Sequence, residues 1–182
     1  MARVVPLYKK SDNTDVGNYR SVSILTIISK IFKRVVYDQI EQYLVEKNLL
    51  YQLQSGFRRG FSTESCLIHL SDFIRFEMDK GHMVGMLLLD LQKAFDSVNH
   101  DILLMKLQSI GINTDIVNWF QSYLSGRLQT INISGASSTP REITCGVPQG
   151  FILGPLLFFI YVNDMSAVVK NKLLLYADDT AI

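Results

Sequence analysis

Three carboxylates in this chain can do chemistry together if the fold converges them. Asp178 and Asp179 are adjacent in "LLLYADDT", Leu173 to Thr180, and Asp90 closes the apolar run "MVGMLLLD". Adjacent like charges repel, so a fold keeps them only where water, or a cation shared between them, offsets the repulsion. In isolation the pair reads first as a solvated turn between two strands, where Asp is at home. If the strand ending in Asp90 lies beside the hairpin carrying Asp178 and Asp179, the three acids meet at one end of a buried sheet. All-oxygen ligation selects hard cations, Mg²⁺ or Mn²⁺ rather than zinc. Two such ions about 3.5–4 Å apart activate a hydroxyl and stabilise a leaving oxygen across a phosphorus, which is phosphoryl transfer. An EF-hand is excluded, since no D-x-[DN]-x-[DN]-G loop occurs. Asp101, Asp115 and Asp164 read as helix-end or surface acids.

The elements that must position these acids follow from the hydrophobic pattern. "RVVPLYKK" and "YRSVSIL" read as strands of a basic-tipped hairpin around the turn-rich "SDNTDVGN". An amphipathic helix is expected through "TIISKIFKRVVYDQIEQYLVEKN", with Ile28, Ile31, Phe32, Val35, Ile40, Tyr43 and Leu44 at helical spacing. After the loop "LQSGFRRGFS", a second helix runs through "TESCLIHLSDFIRFEMDK" and stops at Gly81. The continuously apolar "MVGMLLLD" reads as a buried strand with Asp90 at its tip. Helices "HDILLMKLQSI" and "NTDIVNWFQSYLS" end at Gly111 and Gly126, and "RLQTINISG" and "PREITCG" read as paired strands. Pro155 suits the first turn of a mostly buried helix, "PLLFFIYVNDM". "KLLLYA" is a strand, Asp178 and Asp179 form its turn, and "TAI" starts the return. The class is α+β.

Composition narrows the alternatives. At 182 residues with 48% hydrophobic content, the chain can bury a sizeable core. Its longest apolar stretch, "FILGPLLFFIYV" from Phe151 to Val162, falls short of the roughly 18 residues that span a bilayer, so no membrane partner is expected. No signal peptide is visible, and an intracellular site, nucleus or cytoplasm, is expected. Cys66 and Cys145 form no CxxC and read as reduced core thiols. His69, His82 and His100 lack metal-ligand spacing. Residues 1–60 hold ten Lys/Arg against five Asp/Glu, net +5, and the remainder eight against twelve, net −4. A basic first third and an acidic remainder suit a protein that holds polyanions with one part and cations with the other.

Five ordered motifs carry a family resemblance. "LLLDLQKAFDSVNH", "GVPQGFILGPLLFFIYVND" and "YADD" closely resemble the reverse transcriptases of non-LTR retrotransposons. Upstream, "VVPLYKK…NYRSVSIL…ISKIFKRVVYDQI" and "QSGFRRGFST" resemble that family's finger segments. The resemblance covers essentially all 182 residues. It implies a right-hand polymerase arrangement: fingers over residues 1–82, a first palm part over 83–99, a helical fingers/palm insertion with a strand pair over 100–148, and a second palm part over 149–182. The motif series ends just after the YADD hairpin, so the family's thumb and endonuclease regions are expected outside these residues.

The implied activity is RNA-directed DNA synthesis, with a primer 3′-hydroxyl attacking a deoxynucleoside triphosphate on an RNA template. Asp90 and Asp178 would ligate two Mg²⁺ ions, or Mn²⁺, with the Leu91 carbonyl as a further ligand and Asp179 completing the cluster. Phe95 falls where the family places an aromatic gate beneath the sugar, against which a 2′-hydroxyl clashes and loses its hydrogen bonds. Gln149 and Gly150 would contact the nucleotide or nearby template, Lys9 and Arg20 the triphosphate, and Arg58 and Arg59 the nucleic-acid backbone. The sequence departs from the family pattern at Ser21, Phe61 and Phe151, and Phe151 sets a bulky ring beside the nucleotide-contacting turn. The alternative is a catalytically inactive nucleic-acid-binding fragment or relic of a retrotransposon. An unrelated phosphotransferase is disfavoured, because no GxxxxGK[ST] loop occurs.

Overall fold

The computed structural model describes residues 2–8, 12, 14–24, 26–133, 136–148 and 152–182. Strand β1 (Ala2–Tyr8) pairs antiparallel with β2 (Tyr19–Ile24), Leu7 opposite Arg20. Short polar side chains shape the approach to β2: Asp12 accepts from the Thr14 amide at 2.8 Å and Asp15 from the Gly17 amide at 2.8 Å. On its other edge β1 runs parallel to β4 (Arg127–Ile133), which pairs in turn with β5 (Ala136–Ser137) and β6 (Arg141–Ile143). The hairpin and the downstream strand pair thus form one sheet, although more than a hundred residues separate β2 from β4.

Helix α1 (Ile27–Glu46) starts at Thr26, whose hydroxyl accepts from the Ser29 amide. Its apolar stripe is buried only in the second half: Ile40 and Leu44 enter the core, whereas Ile28, Ile31, Phe32 and Val35 are exposed, and Lys33 is the buried residue of the first half. The apolar stripe expected to face the core therefore does so over half its length. The cause is tertiary, since the helix meets α5 (Leu153–Val162) near its end and projects beyond it. Helix α2 (Thr63–Asp79) opens with a reciprocal Ser62/Ser65 capping box and buries no residue fully.

The core is centred on α5, apolar all round, with α3 (His100–Ser109), α4 (Thr114–Leu124) and the second half of α1 packed about it. Phe120, Phe158, Leu103, Leu107 and Leu157 are fully buried. Truncating either phenylalanine to Ala would cost about 3–5 kcal/mol. Pro155 lies in the first turn of α5, as its fixed φ favours. Asp101 and Asp115 occupy the first turns of α3 and α4, and Asp164 pairs with Lys106 at 2.6 Å ahead of the short α6 (Met165–Val168).

A second sheet has the order β3-β8-β7, from β3 (Leu88–Asp90), β7 (Leu174–Tyr176) and β8 (Asp179–Ala181). It corrects one expectation: "MVGMLLLD" is not a buried strand. Only its last three residues are strand, all exposed, with Leu88 67% accessible, because β3 is the sheet edge. The buried strand is β7, from the apolar "KLLLYA". The expectation of core thiols is also corrected: both cysteines are free, but Cys145 is exposed and Cys66 half-buried. Cys145 lies in a loop and donates to the Asp96 carbonyl, a backbone partner outside the apolar cluster.

Candidate active site

Strand β8 lies between the other two, and this places the acids. Its register sets Asp179 opposite Asp90 on β3, while the Leu91 amide donates to the Asp178 carbonyl at 3.4 Å. Directly opposed residues of an antiparallel pair share a face, with Cα atoms about 4.5–5.5 Å apart. Residues 90 and 179, nearly half the chain apart in sequence, are thus ladder partners, and Asp178 in the adjoining turn accepts from the Leu91 amide. The two-residue loop Ala177–Asp178 closes the β7–β8 hairpin, and Ala177 carries φ 57°, a left-handed value unusual for a residue with a Cβ.

The charges are felt at the site. Burial, and then the neighbouring Asp178 and Asp90 carboxylates, hold the Asp179 carboxyl above the ordinary carboxylate range. Among the described residues no three His, Cys, Asp or Glu side chains stand in a metal-holding arrangement. The β3–β8 ladder fixes the backbones of Asp90 and Asp179 side by side. Three all-oxygen donors sharing one sheet end fit a hard divalent cation. The Leu91 carbonyl accepts from the Ala94 amide at 3.2 Å and retains a second lone pair for a ligand.

A strap from Leu49 to Arg58 locks this hairpin to the helices. The Ser55 amide donates to the Leu175 carbonyl at 2.8 Å and the Leu175 amide to the Leu53 carbonyl at 3.0 Å, extending the sheet beyond β7 in parallel. The Tyr51 hydroxyl donates to the Leu173 carbonyl at 2.7 Å; the Asn163 side chain, just past α5, accepts from the Tyr51 amide and donates to the Leu49 carbonyl. Gly56 then passes so close that an added Cβ would stand 2.1 Å from the Ala177 nitrogen. Gly56, Tyr51 and Asn163 carried no signal as site residues in the sequence; the one clue was a glycine in a turn-rich loop.

Arg58 and Arg59, paired as backbone-phosphate candidates, sit differently. The half-buried Arg58 donates to the Tyr51 and Gln54 carbonyls and lies over the Phe61 ring at 4.6 Å, while Arg59 is exposed. Arg58→Ala is expected to lower Tm by several degrees, because it strips two carbonyls of a charged donor. Arg59→Ala, at an exposed side chain, should leave Tm unchanged. Thermal melts check the pair; equal Tm losses would contradict the division.

Phe95 follows β3 in a short helical turn, Ala94–Asp96. The loop leading to Gln149 is stitched onto this turn: the Val147 amide donates to the Phe95 carbonyl and the Gly146 amide to the Val98 carbonyl, each at 2.7 Å. His100 lies 2.8 Å from the Gly146 carbonyl, a satisfied structural role, and His82 pairs with Glu77. Lys9, Gln149, Gly150 and the departure Phe151 fall outside the described residues. Arg20 is placed on β2 by its backbone.

Comparison with known proteins agrees with the motif order. Residues 8–182 match the family described as "Reverse transcriptase (RNA-dependent DNA polymerase)". The chain is 32% identical over 191 residues to a probable RNA-directed DNA polymerase from transposon BS of Drosophila melanogaster, covering 100% of this chain and 21% of that protein. It is 33% identical over 171 residues to one from transposon X-element of the same organism, covering 91% of this chain and 19% of that protein. It therefore spans about a fifth of the length of these relatives. In fold it is similar to apo telomerase from Candida tropicalis, with TM-score 0.67 and 14% identity over 99% of this chain and 43% of that one. No helix among the described residues is long and apolar enough to cross a membrane. The chain belongs to the reverse transcriptase (RNA-directed DNA polymerase) family, as a domain related to the enzymes of non-LTR retrotransposons.

Proposed function

We propose that this chain provides fingers and palm of a reverse transcriptase that extends a DNA primer on an RNA template by two-metal nucleotidyl transfer. The observation that carries the reading is the ladder pairing of Asp90 with Asp179, with Asp178 bonded beside it. Asp90 and Asp178 would hold the divalent cations, with Asp179 and the Leu91 carbonyl adjoining. Bound there, such ions lower the pKa of the primer 3′-hydroxyl and stabilise the departing pyrophosphate oxygen. The chain's own residues orient the reactants. The Ala177–Asp178 loop, clamped by Gly56, fixes the acids; Phe95 bears on the sugar and disfavours a 2′-hydroxyl; Lys9 and Arg20 grip the triphosphate; Gln149 and Gly150 lie along nucleotide or template; Arg59 meets backbone phosphate.

Residues 1–82 would act as fingers, 83–99 and 149–182 as the two parts of the palm, and 100–148 as a fingers/palm insertion. Primer extension on an RNA template with Mg²⁺ tests the reading. Deoxynucleotide addition supports it, and salt-sensitive binding of primer·template without any addition selects the inactive, binding-only alternative.

A metal-dependent stability follows from the Asp179 shift. Its raised folded-state pKa means that the folded chain holds this proton more tightly than the unfolded chain, so stability falls as pH rises through that pKa. A cation offsets the repulsion once the acids are ionised. Mg²⁺ at ten times its Kd should stabilise by about 1.4 kcal/mol, raising Tm by roughly 3–5 °C at pH 7. Near pH 3, with Asp179 protonated and its proton competing with the cation, the increment should shrink. Melting curves at both pH values check this, and an equal rise in Asp178→Asn would contradict it.

A further inference from the structure

We propose that Phe57 is a positioning residue that sets the Phe95 ring and thereby tunes selection of deoxynucleotides over ribonucleotides; the inference rests on the polymerase reading above. Phe95 is in contact with two rings. One is Phe158, only 2% exposed, with centroids 4.7 Å apart. The other is Phe57, edge-on at 6.4 Å and 85°, itself leaning on Phe159 at 5.9 Å. Phe158 cannot move without opening the core, so the exposed neighbour, an outer wall, decides how far the Phe95 ring can swing.

That outer wall is held in place by the backbone. Phe57 has φ 53°, a conformation that bulky residues rarely adopt, and its ring is 59% exposed, so burial explains neither its place nor its strain. It is fixed by its neighbours: Gly56 abuts the Ala177 backbone, and Arg58 is tied to the Tyr51 and Gln54 carbonyls. One strap thus touches both the acid-bearing hairpin and the ring beneath the sugar. A ring that swings outward gives a 2′-hydroxyl room.

The test is single-nucleotide addition with matched deoxy- and ribonucleotides, comparing wild type with Phe57→Ala, Phe57→Leu, Phe57→Tyr and Phe95→Ala, alongside Tm. Phe57→Ala and Phe57→Leu should lower the deoxy-to-ribo ratio of kcat/KM by about three- to tenfold, the scale of an aromatic edge contact. Phe57→Tyr, which keeps the ring, should restore it. A Phe57→Leu chain that melts like wild type and keeps the wild-type ratio overturns the proposal, as does an equal loss with both nucleotides. If Phe95→Ala collapses the ratio while the Phe57 variants do not, only this proposal fails. If Phe95→Ala also leaves the ratio unchanged, the gate reading fails with it, and a wild-type chain that adds neither nucleotide refutes the polymerase reading itself.

Discussion

Asp178→Asn is expected to reduce primer extension by on the order of a thousandfold while leaving the chain as stable as wild type, or more so. The substitution keeps size and removes one negative charge from the hairpin turn next to the Asp90–Asp179 pair. Charge stabilisation by a bound cation in phosphoryl transfer is worth several kcal/mol, and about 4 kcal/mol corresponds to that factor. The stability half of the expectation is the more diagnostic. A half-buried structural Asp would lose stability on neutralisation, whereas an acid held against two like charges loses repulsion. Extension assays and melts of the same preparations decide it. Extension above a tenth of wild type would remove Asp178 from the chemistry, and a large Tm loss would make the aspartate structural.

The second large effect is expected at Gly56, which touches no substrate. A Cβ there would meet the Ala177 nitrogen at 2.1 Å, its Cα at 2.8 Å and the Tyr176 carbonyl carbon at 3.0 Å, all backbone atoms of the acid-bearing hairpin. None of these can rotate away, so Gly56→Ala must push the strap and hairpin apart. Overpacking of this kind costs about 1–3 kcal/mol, and a displacement near 1 Å of a catalytic group costs about a hundredfold in rate. Gly85→Ala is the control, with nothing within 4 Å of the added Cβ. Wild-type Tm and extension in Gly56→Ala would show that the close approach does not position the acids.

How much of this was legible in the sequence depended on whether local pattern or distant packing decided each feature. Apolar periodicity and glycine stops located the helices to within a few residues, and Pro155 marks a helix start by local chemistry. The acid-bearing hairpin was legible from "KLLLYA" followed by two aspartates, but its turn lies one residue earlier than expected: Ala177 and Asp178 form it, and Asp179 already belongs to β8. Burial was less legible. The stripe on α1 has one period throughout, yet only the end that meets α5 is covered. "MVGMLLLD" is apolar enough for a central strand, but its place at the sheet edge is decided by pairing with β8. The strap's role was invisible because it depends on backbone hydrogen bonds to β7, more than a hundred residues away. Arg58 and Arg59, alike as adjacent charges, are separated only by which carbonyls lie within reach.

The proposed cation site is tested most directly by soaking crystals of the chain in Mn²⁺ and locating the metal by its anomalous scattering. Manganese is expected at the end of the β3–β8 ladder, about 2.1 Å from carboxylate oxygens of both Asp90 and Asp178. Manganese bound elsewhere, with those two carboxylates unliganded, would contradict the assignment.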